Sequence, residues 1–255
     1  MCYDVSSLTK RADRYAERKG QAELWQEAMQ LHAPIFHSNG WFEPELPVFT
    51  NEQPDQIHFH HWPFIPFVYA PKINGQAMNT LNARGDKALN SKTYKNSAHE
   101  RRCLVMLDGF FEHHTLKDNI KIPHYVQMPS REPFMVGGLW QTFYSKRDDI
   151  YIDTVSLVTT EPNKEMAWLH NKPSASEKPR MPFIVPPEYD ELWLHGAPEE
   201  AFELVKPLPD GALEIHPCKP IRSNKRLKRD YIGNVPEIQQ RHHYPELESP
   251  QGSLF

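Results

Sequence analysis

The sequence predicts an α+β domain with a mostly antiparallel, barrel-like sheet core and short peripheral helices. Three observations carry this. Helix-spaced apolar residues dominate the stretch 7–31, short β-branched and aromatic runs follow one another from residue 47, and strands and helices do not alternate as in a βαβ repeat. In the first stretch Leu8, Ala12, Tyr15, Ala16, Leu24, Trp25, Ala28 and Met29 recur at mostly helical spacing, and Gly20 marks a break between two helices. Helices are therefore expected first, directly after the N-terminus. Strands are expected at 47–50, 56–62, 103–107, 124–127, 134–144 and 150–160. The run 102–107 is apolar almost without alternation, as in a strand buried on both faces, whereas 149–160 alternates and should face solvent on one side. Residues 161–170 read as a short helix with Thr160 as N-cap and Pro162 in the first turn, and 187–194 and 197–204 as two more. These elements should form one compact domain over 1–233. The tail 234–255 is rich in Pro, His and Glu and lacks core-forming density.

Composition bounds the function. At 255 residues, 39% hydrophobic and 24% charged, the chain suits a soluble protein, and Pro 24 against Gly 11 implies stiff loops. No run approaches the ~18 apolar residues of a membrane span, and the N-terminus lacks a signal-peptide pattern, so a cytoplasmic, nucleoid-associated monomer without membrane contact is expected. Cys2, Cys103 and Cys218 are odd in number and show no CxxC spacing, which argues against disulfides and structural zinc. No cofactor or metal is expected. With a net charge of −4, any nucleic-acid affinity must be local. Lys219, Arg222, Lys225, Arg226, Lys228 and Arg229 form the densest basic stretch, either a phosphate-tracking edge or a solvated loop.

Cysteine at position 2 is the chemically informative residue. Removal of Met1 would leave a free α-amine and a thiol on one carbon. Such an aminothiol attacks an aldehyde through nitrogen to give a Schiff base, then closes a five-membered thiazolidine through sulfur. The amine titrates near about 8 and the thiol near about 8.5, so both nucleophiles exist at neutral pH. A single residue does not separate this reading from an accident of the second codon, and four further segments bear on it. Asn82 and Arg84, two apart, share one face of a strand. The buried run 102–107 leads through Gly109 to Glu112, a carboxylate flanked by aromatics and a candidate general acid or base. His170 and Asn171 end a short helix, where the imidazole could move protons, and Arg180 opens the next apolar run as a candidate phosphate ligand.

Taken together, Cys2, the Asn-Ala-Arg of 82–84, the Arg-Cys and Asp-Gly-Phe-Phe-Glu of 102–112, the Thr-Thr-Glu-Pro-Asn and His of 159–170, and the Arg-Met-Pro of 180–182 closely resemble the SOS response-associated peptidase family. Its members crosslink themselves to abasic sites in single-stranded DNA. The resemblance implies that Cys2 captures the aldehyde of the opened sugar, that Asn82 hydrogen-bonds the adduct, and that Glu112 orients the amine. It further implies that His170 performs the acid and base steps and that Arg84 and Arg180 grip flanking phosphates. In the family Met1 is removed by the protein itself, although methionine aminopeptidase would also trim before a small residue. Departures are visible. Many members read Met-Cys-Gly-Arg, with the Arg on DNA, where this chain has Tyr3 and Asp4. Where the family often reads Trp-Gly-Leu-x-Pro-x-Trp, this chain has Trp62, Pro63, Phe64, Ile65, Pro66, Phe67, Val68 and Tyr69, so base contacts would rest on Trp62, Phe67 or Tyr69. The stretch from Lys172 to Lys178 is an insertion that would shift Arg180.

Other readings stay open. A non-covalent DNA-binding adaptor would bind without a bond through Cys2, and a cysteine protease or amidase would use Cys2, Glu112 and His170 as nucleophile, orienter and base. The final Gln251, Ser253, Leu254 and Phe255 resemble the peptide by which bacterial repair proteins dock into the β sliding clamp, with Leu254 and Phe255 filling a pocket and Gln251 at its rim. His58, His60 and His61, like the doublets His113-His114 and His242-His243, lack the further ligands of a metal site and read as packing or solvated residues.

Overall fold

The computed structural model describes residues 3–66, 80–146, 148–171 and 178–248. Its strands are β1 (Asp4–Ser7), β2 (Ile35–Asn39), β3 (Glu45–Thr50), β4 (His58–His61), β5 (Asn82–Arg84), β6 (Arg102–Leu107), β7 (Gly109–Thr115), β8 (Lys121–Gln127), β9 (Phe134–Ser145), β10 (Ile150–Thr160), β11 (Met181–Pro182), β12 (Ile184–Val185) and β13 (Glu214–Pro217). Its α-helices are α1 (Ala12–Lys19), α2 (Ala22–Leu31), α3 (Gly85–Ala88), α4 (Lys95–Glu100), α5 (Lys164–Leu169), α6 (Asp190–His195) and α7 (Pro198–Glu203). Strands β4, β3, β6 and β9 pair antiparallel in that order. β10 then pairs with β9 and, in parallel, with β4, closing a five-stranded barrel. Closure removes the exposed edges that an open sheet would leave.

The two-residue period of β6 divides the core. Cys103, Val105 and Leu107 join Val48, Val136, Val155 and Leu157 in one buried cluster. Leu104 and Met106 join Phe49, Met135 and the helix residues Tyr15, Trp25 and Trp193 in a second. Because the second set lies under the helices, the first fills the barrel. All six residues of β6 are buried, as its apolar run predicts. Gly138 of β9 makes room inside: a Cβ there would stand 2.7 Å from the Cys103 sulfur and 3.0 Å from Val105.

A second, antiparallel sheet runs β13-β8-β7-β1-β2. β7 continues β6 after the single residue Asp108, whose N–H donates to Ser6 O at 2.9 Å. The buried Asp108 carboxylate accepts from Thr9 N and Thr9 Oγ1, both at 2.8 Å, and from Tyr15 OH at 3.0 Å. Gly109 leaves the space through which the Tyr125 ring crosses to pair its hydroxyl with Ser6 Oγ at 2.8 Å.

Several elements differ from the sequence expectations. A strand, β1, precedes the helices, β2 lies outside the strand runs expected from the sequence, and the run through Gly109 to Glu112 continues as a separate strand, β7. β10 is exposed only over its first residues; from Thr154 onward every residue is buried, because β5 and β11 pair along it. The helix after β10 starts at Lys164 with Asn163, not Thr160, as its cap, since Thr160 is paired with Met181. Residues 234–248 pack despite their polar composition. Ile238 and Tyr244 are buried, and Asn234 accepts from Phe36 N and His37 N along the free edge of β2. Among the described residues no helix is long and apolar enough to cross a membrane.

A substitution Gly138→Ala should overfill the barrel and cost about 1–3 kcal/mol. Urea denaturation should show a lower midpoint at unchanged slope.

Candidate functional site

β1 and β7 run antiparallel with Asp4 opposite Phe111 and Val5 opposite Phe110. Each step back along β1 is a step forward along β7, so the register carries Tyr3, the first described residue, to the level of Glu112. Glu112 accepts from the His113 N–H at 2.9 Å through Oε1, while Oε2 lies 3.2 Å from Nδ1 of His170. Both side chains are 12% exposed. Burial alone would raise the Glu112 carboxyl, but favourable interactions led by the hydrogen bond to His170 outweigh it and hold the group below its ordinary range, as a carboxylate.

Helix α5 delivers His170, which is its C-terminal cap residue. At the start of the helix Asn163 Oδ1 accepts from Met166 N at 2.9 Å. Beyond the end, the Asn171 amide imitates a strand partner: Thr115 N donates to its Oδ1 at 2.9 Å and its Nδ2 donates to Thr115 O at 2.8 Å. His114 stacks on Trp168 at 3.9 Å and contacts its carbonyl through Nδ1 at 2.9 Å. α5 is thus fastened to β7 through Trp168 and Asn171, which bracket His170.

The other predicted residues gather at the C-terminal end of β10. β5 pairs with it in parallel, Asn82 opposite Leu157 and Arg84 opposite Thr159, so Asn82 and Arg84 share a face as expected. Asn82 is buried, and its carbonyl accepts from Tyr94 OH at 3.3 Å. Arg84 meets Asp86 through Nε at 3.2 Å and Nη2 at 2.5 Å, with 40% of its side chain exposed. Arg180 reaches the same Asp86 at 3.2 Å, and donates to Thr159 Oγ1 at 2.9 Å and Thr159 O at 2.5 Å. It is 6% exposed, and burial lowers its pKa. In this arrangement Arg180 braces β10, and its burial runs against a phosphate contact.

Trp62, expected from the sequence to contact a base, also lies in the interior. It is fully buried with its indole N–H on Leu81 O at 2.8 Å, which leaves no ring face for a base. Cys2, Phe67, Tyr69, Gln251, Leu254 and Phe255 lie outside the described residues. Two exposed aromatics escaped the sequence reading. Trp41 and Phe42, 51% and 77% exposed, occupy a tight turn after β2 whose Gly40 N–H donates to Tyr3 O at 2.8 Å. A run of Gly followed by two aromatics was the available signal, since so short a turn cannot bury both rings.

The two described cysteines are poor nucleophiles. Cys103 and Cys218 are fully buried, and burial pushes both thiols well above their usual range. His60 is pushed down to about 4 by burial and is neutral at pH 7, and among the described residues no His, Cys, Asp and Glu group has the makings of a metal site. Asp4 is also buried. It accepts from Asn39 Nδ2 at 2.9 Å and from Arg222 Nη2 at 2.8 Å, and lies 3.0 Å from His37 Nε2.

A chain that sets a carboxylate–imidazole pair beside its own first strand, on a closed barrel, belongs to the SOS response associated peptidase (SRAP) family, whose model matches residues 1–222. The yeast Saccharomyces cerevisiae protein named abasic site processing protein YMR114C is 27% identical over 158 residues, 59% of this chain and 39% of that one. The Bacillus subtilis protein YoaM, of the same description, is 27% identical over 115 residues, 45% of this chain and 47% of its own. The matches thus span less than half the length of these two relatives. The mouse abasic site processing protein HMCES is 23% identical over 279 residues, covering 92% of this chain and 73% of that one. A crystal structure of a Bacteroides thetaiotaomicron protein shares the fold at a TM-score of 0.77 and 24% identity, over 95% of this chain and 100% of that one.

Two outcomes follow. Asn171→Ala should lower stability by about 1 kcal/mol in denaturant titration, from the loss of its bonds to Thr115. The Asp4 carboxyl is held below 3.8 because His37, Arg222 and Asn39 overcome burial. A depressed carboxyl lends stability that is complete above its unfolded value and is lost as pH falls through the folded one. Thermal melts should therefore decline below about pH 4. Asp4→Asn should flatten that acid limb, whereas Asp108, whose carboxyl burial raises, contributes with the opposite sign.

Proposed function

We propose that the protein recognises abasic sites in single-stranded DNA and bonds to them through Cys2 once Met1 has been removed, by its own thiol or by an aminopeptidase. The observation that carries this is the Glu112–His170 pair, 3.2 Å apart, at the level of Tyr3. Cys2 is one peptide unit from Tyr3, a Cα step of about 3.8 Å. Burial of Cys103 and Cys218 leaves Cys2 as the thiol suited to attack. The names of the relatives, abasic site processing proteins, support DNA carrying such lesions as the substrate.

The chemistry balances without a cofactor. The deoxyribose opens to its aldehyde, and the Cys2 amine adds to the carbonyl carbon. His170 protonates the hydroxyl of the resulting carbinolamine, which leaves as water and gives an imine. The thiol then adds across the C=N bond, its proton passing to the former imine nitrogen, and the thiazolidine closes. Glu112, kept as a carboxylate, holds His170 and takes the proton that the amine must lose. Asn82 steadies the adduct, Arg84 meets a flanking phosphate, and Trp41 and Phe42 offer bases a stacking surface beside the lesion. The product shields the lesion from strand cleavage. Docking of Gln251, Leu254 and Phe255 in a sliding clamp, and a monomeric state, belong to the same proposal.

Mature protein mixed with an abasic single-stranded oligonucleotide should give a heat-stable band of reduced gel mobility, and none with intact DNA. Cys2→Ala or a blocked N-terminus should abolish it. Glu112→Gln and His170→Ala should each slow its formation on the order of a hundredfold or more. Cys218→Ala should form it normally. Multiple turnover of a peptide substrate without any adduct would instead favour an amidase.

A further inference from the structure

Asp4 has a structural consequence beyond the stability of β1. It already has Asn39 Nδ2 and His37 Nε2 as close partners, yet it also engages Arg222, which arrives from 218 residues along the chain. The pairing uses one guanidinium nitrogen, Nη2, at 3.1 and 2.8 Å from the two oxygens. Nε and Nη1 make no hydrogen bond among the described residues, and 52% of the side chain is exposed. A half-exposed cation is thereby held on Asp4, which stands two residues from position 2 in the chain.

Arg222 begins a built turn. Cys218 N donates to Pro123 O at 3.0 Å and Ile221 is buried, which fixes the entry. At the exit Asn224 and Arg229 exchange backbone bonds at 2.7 and 3.1 Å, and Arg229 is held by Glu246 at 2.6 Å and by the Tyr244 ring at 4.6 Å. Inside the turn the Asn224 side chain accepts from Leu227 N at 3.2 Å. Between these anchors Arg222, Lys225, Arg226 and Lys228 are exposed, and no acidic residue interrupts 219–229. Ordered side-chain roots with free charged ends suit a polyanion, because the backbone entropy of arranging the cations is lost on folding and not on binding.

We propose that residues 222–228 form a phosphate-binding edge along which single-stranded DNA enters the site, with Arg222, seated on Asp4, as its innermost contact. The proposal rests on the DNA reading given above. Neutralising each phosphate of a single strand contributes about 0.7 to the slope of log affinity against log salt.

The test is fluorescence anisotropy of a labelled, lesion-free oligothymidylate across a salt series, comparing the wild type with the triple variant Lys225→Ala, Arg226→Ala, Lys228→Ala and with Arg222→Ala. Far-UV dichroism checks folding; the triple variant alters only exposed side chains. The slope should fall by about 2 in the triple variant and by about 0.7 in Arg222→Ala. An unchanged slope in the folded triple variant, or no binding by the wild type, overturns the proposal. Adduct formation with an abasic oligonucleotide, scored on the same preparations, separates the two claims. Crosslinking with an unchanged slope removes the edge alone, and a lowered slope without crosslinking keeps the edge and removes the covalent reading.

Discussion

Two buried carboxylates fasten the first strand, and the position of Tyr3 and of the Glu112–His170 pair relative to it depends on where that strand lies. Asp108 holds its far end through Thr9 and Tyr15, with its own N–H on Ser6. Asp4 holds its near end through Asn39, His37 and Arg222. A strand of four residues buries too little apolar surface to stay in place by itself, so paired, buried charge supplies the registry. The two anchors differ in sign. Partners win over burial at Asp4, whereas burial wins at Asp108, so one favours neutral pH and the other does not.

The barrel supplies the rigid frame to which the site is attached. β10 is central to this, since its buried C-terminal half pairs with β5 and β11 and then runs into α5. Asn82, Arg84, Arg180 and His170 therefore all depend on one end of one strand. The second sheet brings Glu112 from the other side, and the Asn171 amide closes the gap by acting as a strand partner to Thr115. A helix of six residues has little stability of its own, so its placement comes from these contacts.

The strands that close the barrel were readable because their side chains carry the signal: 102–107 is apolar throughout, and 134–144 and 150–160 are long and rich in β-branched and aromatic residues. β1 was not, because Asp4, Val5, Ser6 and Ser7 include a single β-branched residue and become a strand only between β2 and β7. The alternation in β10 misled for a related reason, its polar residues Ser156 and Thr159 being buried against neighbours that no local window contains. Asn82, Glu112 and His170 were singled out by residue type and order, and the structure places Glu112 and His170 3.2 Å apart. Trp62 and Arg180 match by residue type as well, and both are buried. An indole bonded to Leu81 and a guanidinium bonded to Thr159 serve the frame, and only coordinates separate that from service to a ligand. The polar segment after 233 hides its anchors because they are few and far apart, Asn234, Ile238 and Tyr244 among them.

The account stands or falls on a covalent bond at the residue just before Tyr3. Intact mass spectrometry after incubation with abasic DNA, followed by nuclease and protease digestion, measures it directly. The account predicts a species lacking Met1 whose mass is the sum of protein and oligonucleotide less one water, with the remnant mapped to the N-terminal peptide at Cys2. Recovery of unmodified protein alone, or of a remnant on any other residue, would contradict it.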